Sequence, residues 1–212
     1  MKKPRIIVSY PRSGQHLVAE ILKRISGIKK VPYKYCNTYN CSGELPCICN
    51  PTIQKWHDFD LMDGKPGIPI DKENRYLVLY RKDKLENLEA YYRFLRRNAV
   101  YSIDDFFSFY KSPYNYYDTF VQKWVLQAPS NVQVLDYNEL MMMPNEKMTE
   151  AFYHLHPEST CKALIPVDNF MYRAHGKIGY IKKNHFIHPI IRSYIEEKIK
   201  HVDDIETKSF NP

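Results

Sequence analysis

The segment IIVSYPRSGQHL, residues 6–17, holds residues whose types and order can do chemistry. An apolar run ends in the turn PRSG, and the glycine opens directly into helical spacing. A strand, a tight loop and a helix in that order expose several backbone N–H groups and the positive end of a helix dipole. That is an anion site, and phosphate fits it. Arg12 adds a charged donor and Ser13 a hydroxyl. The Gly-Lys-Ser/Thr ending of a Walker A loop is absent. The plainer reading is a strand-to-helix turn with a surface arginine. A second segment, RAHGKIGYIKKNHF over residues 173–186, sets Gly176 and Gly179 among Arg173, Lys177, Lys182 and Lys183. Two glycines among cations make a basic loop that can close over a phosphate, or simply a lysine-rich loop. A third, KWHDF over residues 55–59, puts Lys55 and His57 two apart, on one face of a strand. An imidazole titrates near neutrality and suits a general base; the alternative is one of 8 histidines on a partly solvated loop.

The charge agrees with an anionic partner. Lys plus Arg is 31 and Asp plus Glu is 24, a net +7. The cations are scattered, with pairs at Lys29-Lys30, Arg96-Arg97 and Lys182-Lys183 but no long block. Scattered charge suits a pocket for a small anion better than a nucleic-acid footprint. The 18 tyrosines suggest amphipathic walls, and with only 7 glycines each one is informative.

These residues need elements to hold them. Residues 5–10 and 75–80 read as buried parallel strands, with a third over 132–137 and a weaker one over 53–61. Leu17, Val18, Ile21, Leu22 and Ile25 recur at helical spacing, as do Leu85, Leu88, Tyr91, Tyr92 and Leu95. Helices are also expected over 103–110, 116–128, 144–156 and 188–201. Strands alternating with helices indicate a three-layer α/β/α fold with a central parallel sheet, in a single domain over 1–212. Residues 32–51 form an irregular insertion with Cys36, Cys41, Cys47 and Cys49. That spacing lacks C-x2-C pairs, so zinc, disulfides and thiols all stay open. No run approaches 18 apolar residues and no signal-peptide core is present, so a cytoplasmic chain without a membrane span is expected.

Together the segments resemble the PAPS-dependent sulfotransferases. YPRSG is similar to their 5′-phosphosulfate loop, YP(K/R)SG. Arg81, closing the strand RYLVLY, resembles the 3′-phosphate segment. VLDYNEL, residues 134–140, resembles the strand-then-YEDL element, and R173-x-x-G-x-x-G179 with N184-H-F the RKGxxGDWKNxF motif. K55-W-H57 resembles the K-x-H segment that supplies the catalytic base. All five occur in the family's order. The resemblance implies a P-loop-like α/β architecture and transfer of a sulfuryl group from PAPS to a hydroxyl or amine of a small molecule or glycan. No metal and no nucleic acid is required. It implies His57 as base and Lys55 and Arg12 on the leaving side. Arg12, Ser13, Gly14, Gln15, His16, Leu17, Arg81, Tyr137, Arg173, Gly176 and Lys177 would bind PAPS or its product PAP.

Four features depart from the pattern. Glu89 stands where the family has a serine, and its charge is expected to repel a phosphate. Leu17 stands where an aromatic often stacks on adenine, which leaves stacking to a residue such as Phe170. The glycine loop has one extra residue before Gly176, and Tyr180-Ile181 replaces Asp-Trp. Two other classes remain in play. A P-loop-like kinase is disfavoured by the missing Lys-Ser/Thr, with Asp136 its only magnesium candidate. A basic RNA- or glycan-binding module would use Tyr91, Tyr92, Arg93, Arg96 and Arg97, with the tyrosines turned to a ligand instead of the sheet.

Overall fold

The computed structural model describes residues 5–30, 33–36, 47, 51–95, 113, 115–159, 163–167, 193, 196 and 197. The chain divides into two compact units, Met1–Ile178 and Gly179–Pro212. Of the second, Ser193, Glu196 and Glu197 are described, and all three are helical. The expected helix over 103–110, the basic loop with Arg173, Gly176 and Lys177, and Phe170 lie outside the described residues.

The first unit is built on a five-stranded parallel sheet. Its strands are β1 (Arg5–Ser9), β2 (Tyr35–Cys36), β3 (Ile53–Trp56), β4 (Arg75–Tyr80) and β5 (Val132–Asp136), in the order β2-β3-β1-β4-β5. The register pairs Ile7 with Lys55 on one side and with Leu77 on the other, and Leu79 with Leu135. β1 and β4 are apolar nearly throughout because both faces of their sheet are covered. On one face Ile7, Leu77, Leu79 and Leu135 pack against Val18, Ile21, Leu22 and Ile25 of α1 (Gln15–Ile28). Leu140 of α4 (Tyr137–Met142) and Met148, Phe152 and Leu155 of α5 (Pro144–Leu155) complete that core. α5 starts on Pro144, whose missing N–H is no loss at a helix start.

The other face is aromatic. Tyr10, just past β1, stacks on Tyr116 at 4.8 Å and meets Tyr117 and Phe120 edge-on. Trp124 packs on Tyr76 of β4 at 5.5 Å. These partners come from α3, helical residues 115–121 running into the π-helical turn Gln122–Leu126. Tyr91 of α2 (Lys84–Leu95) meets Tyr10 edge-on at 6.3 Å, so it packs over the sheet. The result is the expected three-layer α/β/α arrangement.

The strand expected over 53–61 ends at Trp56. Asp58 takes a left-handed conformation, φ 51°, which no strand continues through, and Phe59–Asp63 forms a 3₁₀ turn. Within the irregular 32–51 stretch, Tyr35 and Cys36 pair with Ile53 and Gln54 at the sheet edge. The Sγ of buried Cys36 lies 3.5 Å from that of Cys47. Among the described residues no helix is long and apolar enough to cross a membrane.

Candidate active site

β3 and β4 lie on opposite sides of β1, so the chain leaves β1 in both directions and opens the carboxyl end of the sheet. In open α/β folds that is where ligands bind. The turn after β1 carries two left-handed residues, Arg12 at φ 66° and Gly14 at φ 83°. Gly14 has a second constraint. A Cβ there would lie 2.5 Å from Cδ2 of Tyr137, so only glycine lets α1 start this close to the end of β5. Gly14 caps α1 without a side-chain hydrogen bond, and the first turn holds no acidic residue. The first intrahelical bond at this end runs from Val18 N to Gly14 O, so the N–H groups of Gln15, His16 and Leu17 precede the ladder. Their side chains are occupied differently. Gln15 is buried and donates to the carbonyls of Ile7 and Trp56. Leu17 is buried in the core, so only its backbone can meet a ligand. His16 is exposed. Ser13 is buried and donates to Asn87 Oδ1 at 3.2 Å, with its hydroxyl turned to α2.

Lys55 and Arg12, beside this turn, have no carboxylate partner among the described residues. Lys55 is 3% exposed, yet its Nζ lies 3.4 Å from Nε2 of His16, and no described carboxylate pairs with it. A buried ammonium beside an imidazole is costly unless an anion joins it. Burial lowers the Lys55 pKa, and burial with the nearby charges of Lys55 and Arg12 lowers that of His16. The Arg12 guanidinium lies 4.7 Å above the ring of Phe94 and also pairs with no described carboxylate. Its pKa is lowered by burial and then by Arg81. Lys55 and Arg12 thus put positive charge at the start of α1.

Arg81, expected at the 3′-phosphate, is engaged by protein groups. It is 6% exposed, lies 4.2 Å over the ring of Tyr137, pairs with Glu86 at 2.7 Å and donates from Nε to the carbonyl of Arg12. It braces the loop, and Tyr137 is the floor beneath both Gly14 and Arg81. Glu89 is buried and paired with Arg93 one turn on, so its charge is compensated. Asp136 caps α4 through Asn138 N at 3.0 Å. Among the described residues no group of three His, Cys, Asp or Glu side chains is arranged to hold a metal ion.

His57 follows β3 beside the end of β1. Its Nδ1 lies 2.8 Å from the Ser9 carbonyl oxygen and 3.1 Å from Ser9 Oγ. A carbonyl only accepts, so Nδ1 carries the proton, and Nε2 has a lone pair that no described residue engages. Burial pushes the His57 pKa down from 6.5 to about 4; Lys55 and His16 add to this and the Ser9 bond opposes it. The ring is therefore neutral at pH 7, with Nε2 able to take a proton.

Residues that motif reading missed hold these groups in place. Tyr116 donates its hydroxyl to the His57 carbonyl, and Tyr117 donates to the Arg81 carbonyl. Two adjacent phenols of α3 thus tie down the ends of two strands. Only the tyrosine richness of the chain hinted at them.

The fold has counterparts of known structure. A sulfotransferase from Alicyclobacillus acidocaldarius superposes with a TM-score of 0.54 at 11% identity, over 92% of this chain and 90% of that one. Retinol dehydratase in a complex with retinol and PAP superposes with a TM-score of 0.51 at 12% identity, over 97% of this chain and 80% of that one. The chain has a sulfotransferase fold. No protein-family model matches the chain, and no curated relative does. Within the sulfotransferase fold, the turn after β1, Lys55 and His57 converge at the carboxyl end of the central strands.

Proposed function

We propose that this protein is a sulfotransferase that moves a sulfuryl group from PAPS to a hydroxyl or amine acceptor. One observation carries the reading. Two cations, Lys55 and Arg12, meet the N-terminus of α1 beside His57, and among the described residues neither cation has a carboxylate partner and the Nε2 of His57 has none either. The donor set fits a phosphosulfate, since it offers backbone N–H groups, a fork and a point charge with no acid in the first turn. PAP in the complex of the structural neighbour supports the donor class, and retinol there supports a small-molecule acceptor.

PAPS supplies the sulfuryl group and the leaving phosphate oxygen. The N–H groups of Gln15, His16 and Leu17 and the Arg12 guanidinium would hold the 5′ end, and Lys55 would face the negative charge that develops on the leaving side. Arg81 would act chiefly by fixing the Arg12 loop. Arg173, Gly176 and Lys177 would complete the 3′ end. His57 Nε2 would take the acceptor's proton, and the Ser9 carbonyl would steady the imidazolium through Nδ1–H. Transfer of this kind needs positioning and charge stabilisation more than covalent help, which this arrangement of fixed donors supplies.

A thermal-shift titration tests the donor claim. PAP is expected to stabilise the protein in a saturable way and ATP-Mg much less. Equal shifts would favour a kinase-like nucleotide site, and a shift with RNA alone a binding module.

A further inference from the structure

Next to His57 lies a charged group that no step above uses. Asp58 is fully buried, with 0% exposure, and sits at φ 51°. Its Oδ1 accepts from the Ile68 N–H at 2.8 Å. Its Oδ2 accepts from Lys123 Nζ at 2.9 Å and from Trp124 Nε1 at 2.7 Å. Lys123 spends its remaining donors on the carbonyls of Pro66 and Ile68. Gly67 admits this approach. A Cβ there would lie 2.5 Å from Asp58 Oδ1 and 2.7 Å from Lys123 Nζ. A buried ion pair with every polar atom satisfied adds little stability over an apolar replacement, but it fixes one geometry. A non-glycine residue in the left-handed region is strained, and such strain gathers where geometry matters.

The geometry has a clear object. The carboxylate is tied to the far half of α3, through Lys123 and Trp124, while Tyr116 from the near half holds the His57 carbonyl. The dipeptide His57-Asp58 is gripped from both sides by one helix, and Trp124, with 0% exposure, anchors that helix to β4. What remains for His57 is its side-chain torsion, which the Ser9 carbonyl sets. We propose that Asp58, through its ion pair with Lys123, is the positioning residue that holds the His57 ring against the Ser9 carbonyl, and so leaves Nε2 as the open acceptor. This rests on the reading of His57 as the base, but the placement itself can be measured without any acceptor.

The test combines nitrogen NMR of the histidines with turnover. Asp58→Asn keeps the shape and, with its oxygen on the Ile68 N–H, turns an amide N–H₂ toward the donors of Lys123 and Trp124. Lys123→Gln breaks the same ion pair from its other side, at a residue whose side chain is 19% exposed, and so serves where Asp58→Asn does not fold. Parent protein should show His57 in the Nδ1–H tautomer with a depressed titration midpoint. In either folded variant the signal should become a mixture of tautomers, with the midpoint rising toward an ordinary histidine. Lys55 and His16 are the other titratable groups acting on His57, and they stay in place. PAP affinity should be unchanged, and kcat should fall about 10-fold or more, less than on removing the base itself. A folded variant with the parent tautomer and midpoint overturns the proposal. A changed tautomer with parent turnover also overturns it as a catalytic device and removes His57 as base. A tautomer change in a protein that turns over no acceptor upholds the placement and counts against the sulfotransferase reading alone.

Discussion

His57 Nδ1 and the Ser9 carbonyl oxygen are 2.8 Å apart, and that contact decides which ring nitrogen is basic. The imidazole joins the loop after β3 to the last residue of β1, so the proposed base and the proposed anion loop share one strand end. The consequences for rate, stability and ligand binding are separable by experiment.

The pH dependence follows from the sign of the shift. The unfolded imidazole takes its proton near 6.5 and the folded one at about 4. Between these values the unfolded chain binds more protons, so stability is full above pH 6.5 and falls as pH drops toward 4. A shift of this size corresponds to ~3 kcal/mol. His16 and His154, also lowered first by burial, act in the same direction. Urea unfolding at pH 7 and pH 4.5 should show the loss, and His57→Asn should shrink it. Identical losses in parent and variant would detach the effect from His57.

Gly14 and Gly27 lie in or beside the same helix and should respond in opposite ways. Gly14→Ala puts a methyl into the Tyr137 ring at a positive φ and should destabilise by ~2 kcal/mol or more while abolishing PAP binding. Gly27→Ala meets nothing within 4 Å and should stabilise by up to ~1 kcal/mol. Denaturation midpoints and PAP calorimetry of the two variants check this; a stable Gly14→Ala protein that binds PAP would contradict the loop geometry.

Arg12→Ala should weaken PAP binding and slow transfer by about 100-fold, the loss seen when one preorganised charge-stabilising donor is removed. Arg12→Lys should recover part of it, because the charge returns without the fork. Unchanged PAP affinity in the alanine variant would take Arg12 out of the site.

Tyr117→Phe removes the donor to the Arg81 carbonyl and leaves that oxygen short of a partner in a buried setting. The expected cost is ~1–3 kcal/mol. Because Arg81 braces Arg12, PAP affinity should drop as well, while Thr119→Ala, at an exposed bond on the same helix, should leave affinity unchanged. Calorimetry on both variants reads the difference.

Much of the frame is legible in the residues. Buried parallel strands need apolar runs, so RIIVS and RYLVLY announce themselves, and α1 shows its core stripe at spacings of three and four. The turn of Arg12 and Gly14 is legible because a glycine and an arginine at a strand-to-helix turn are few and local. What escapes is long-range. The pairing of Asp58 with Lys123 and Trp124 spans about 65 residues, and nothing near KWHDF marks its aspartate as buried. For the same reason the sequence pattern carries the strand on to Leu61, whereas the left-handed Asp58 stops it at Trp56. Glu89 looks like a repulsive charge only until its partner Arg93 is seen beside it.

The central claim is sulfuryl transfer with His57 as base, and the most direct measurement follows radiolabelled sulfate from PAPS into a broad panel of phenols, alcohols, amines and sugars. Parent and His57→Ala proteins would be run side by side, with PAP affinity measured on each. The parent should label at least one acceptor, and His57→Ala should lose about 100- to 10,000-fold of that rate with PAP affinity intact. A folded His57→Ala protein that labels the same acceptor at the parent rate, or a parent that neither binds PAP nor transfers label to anything in the panel, would contradict it.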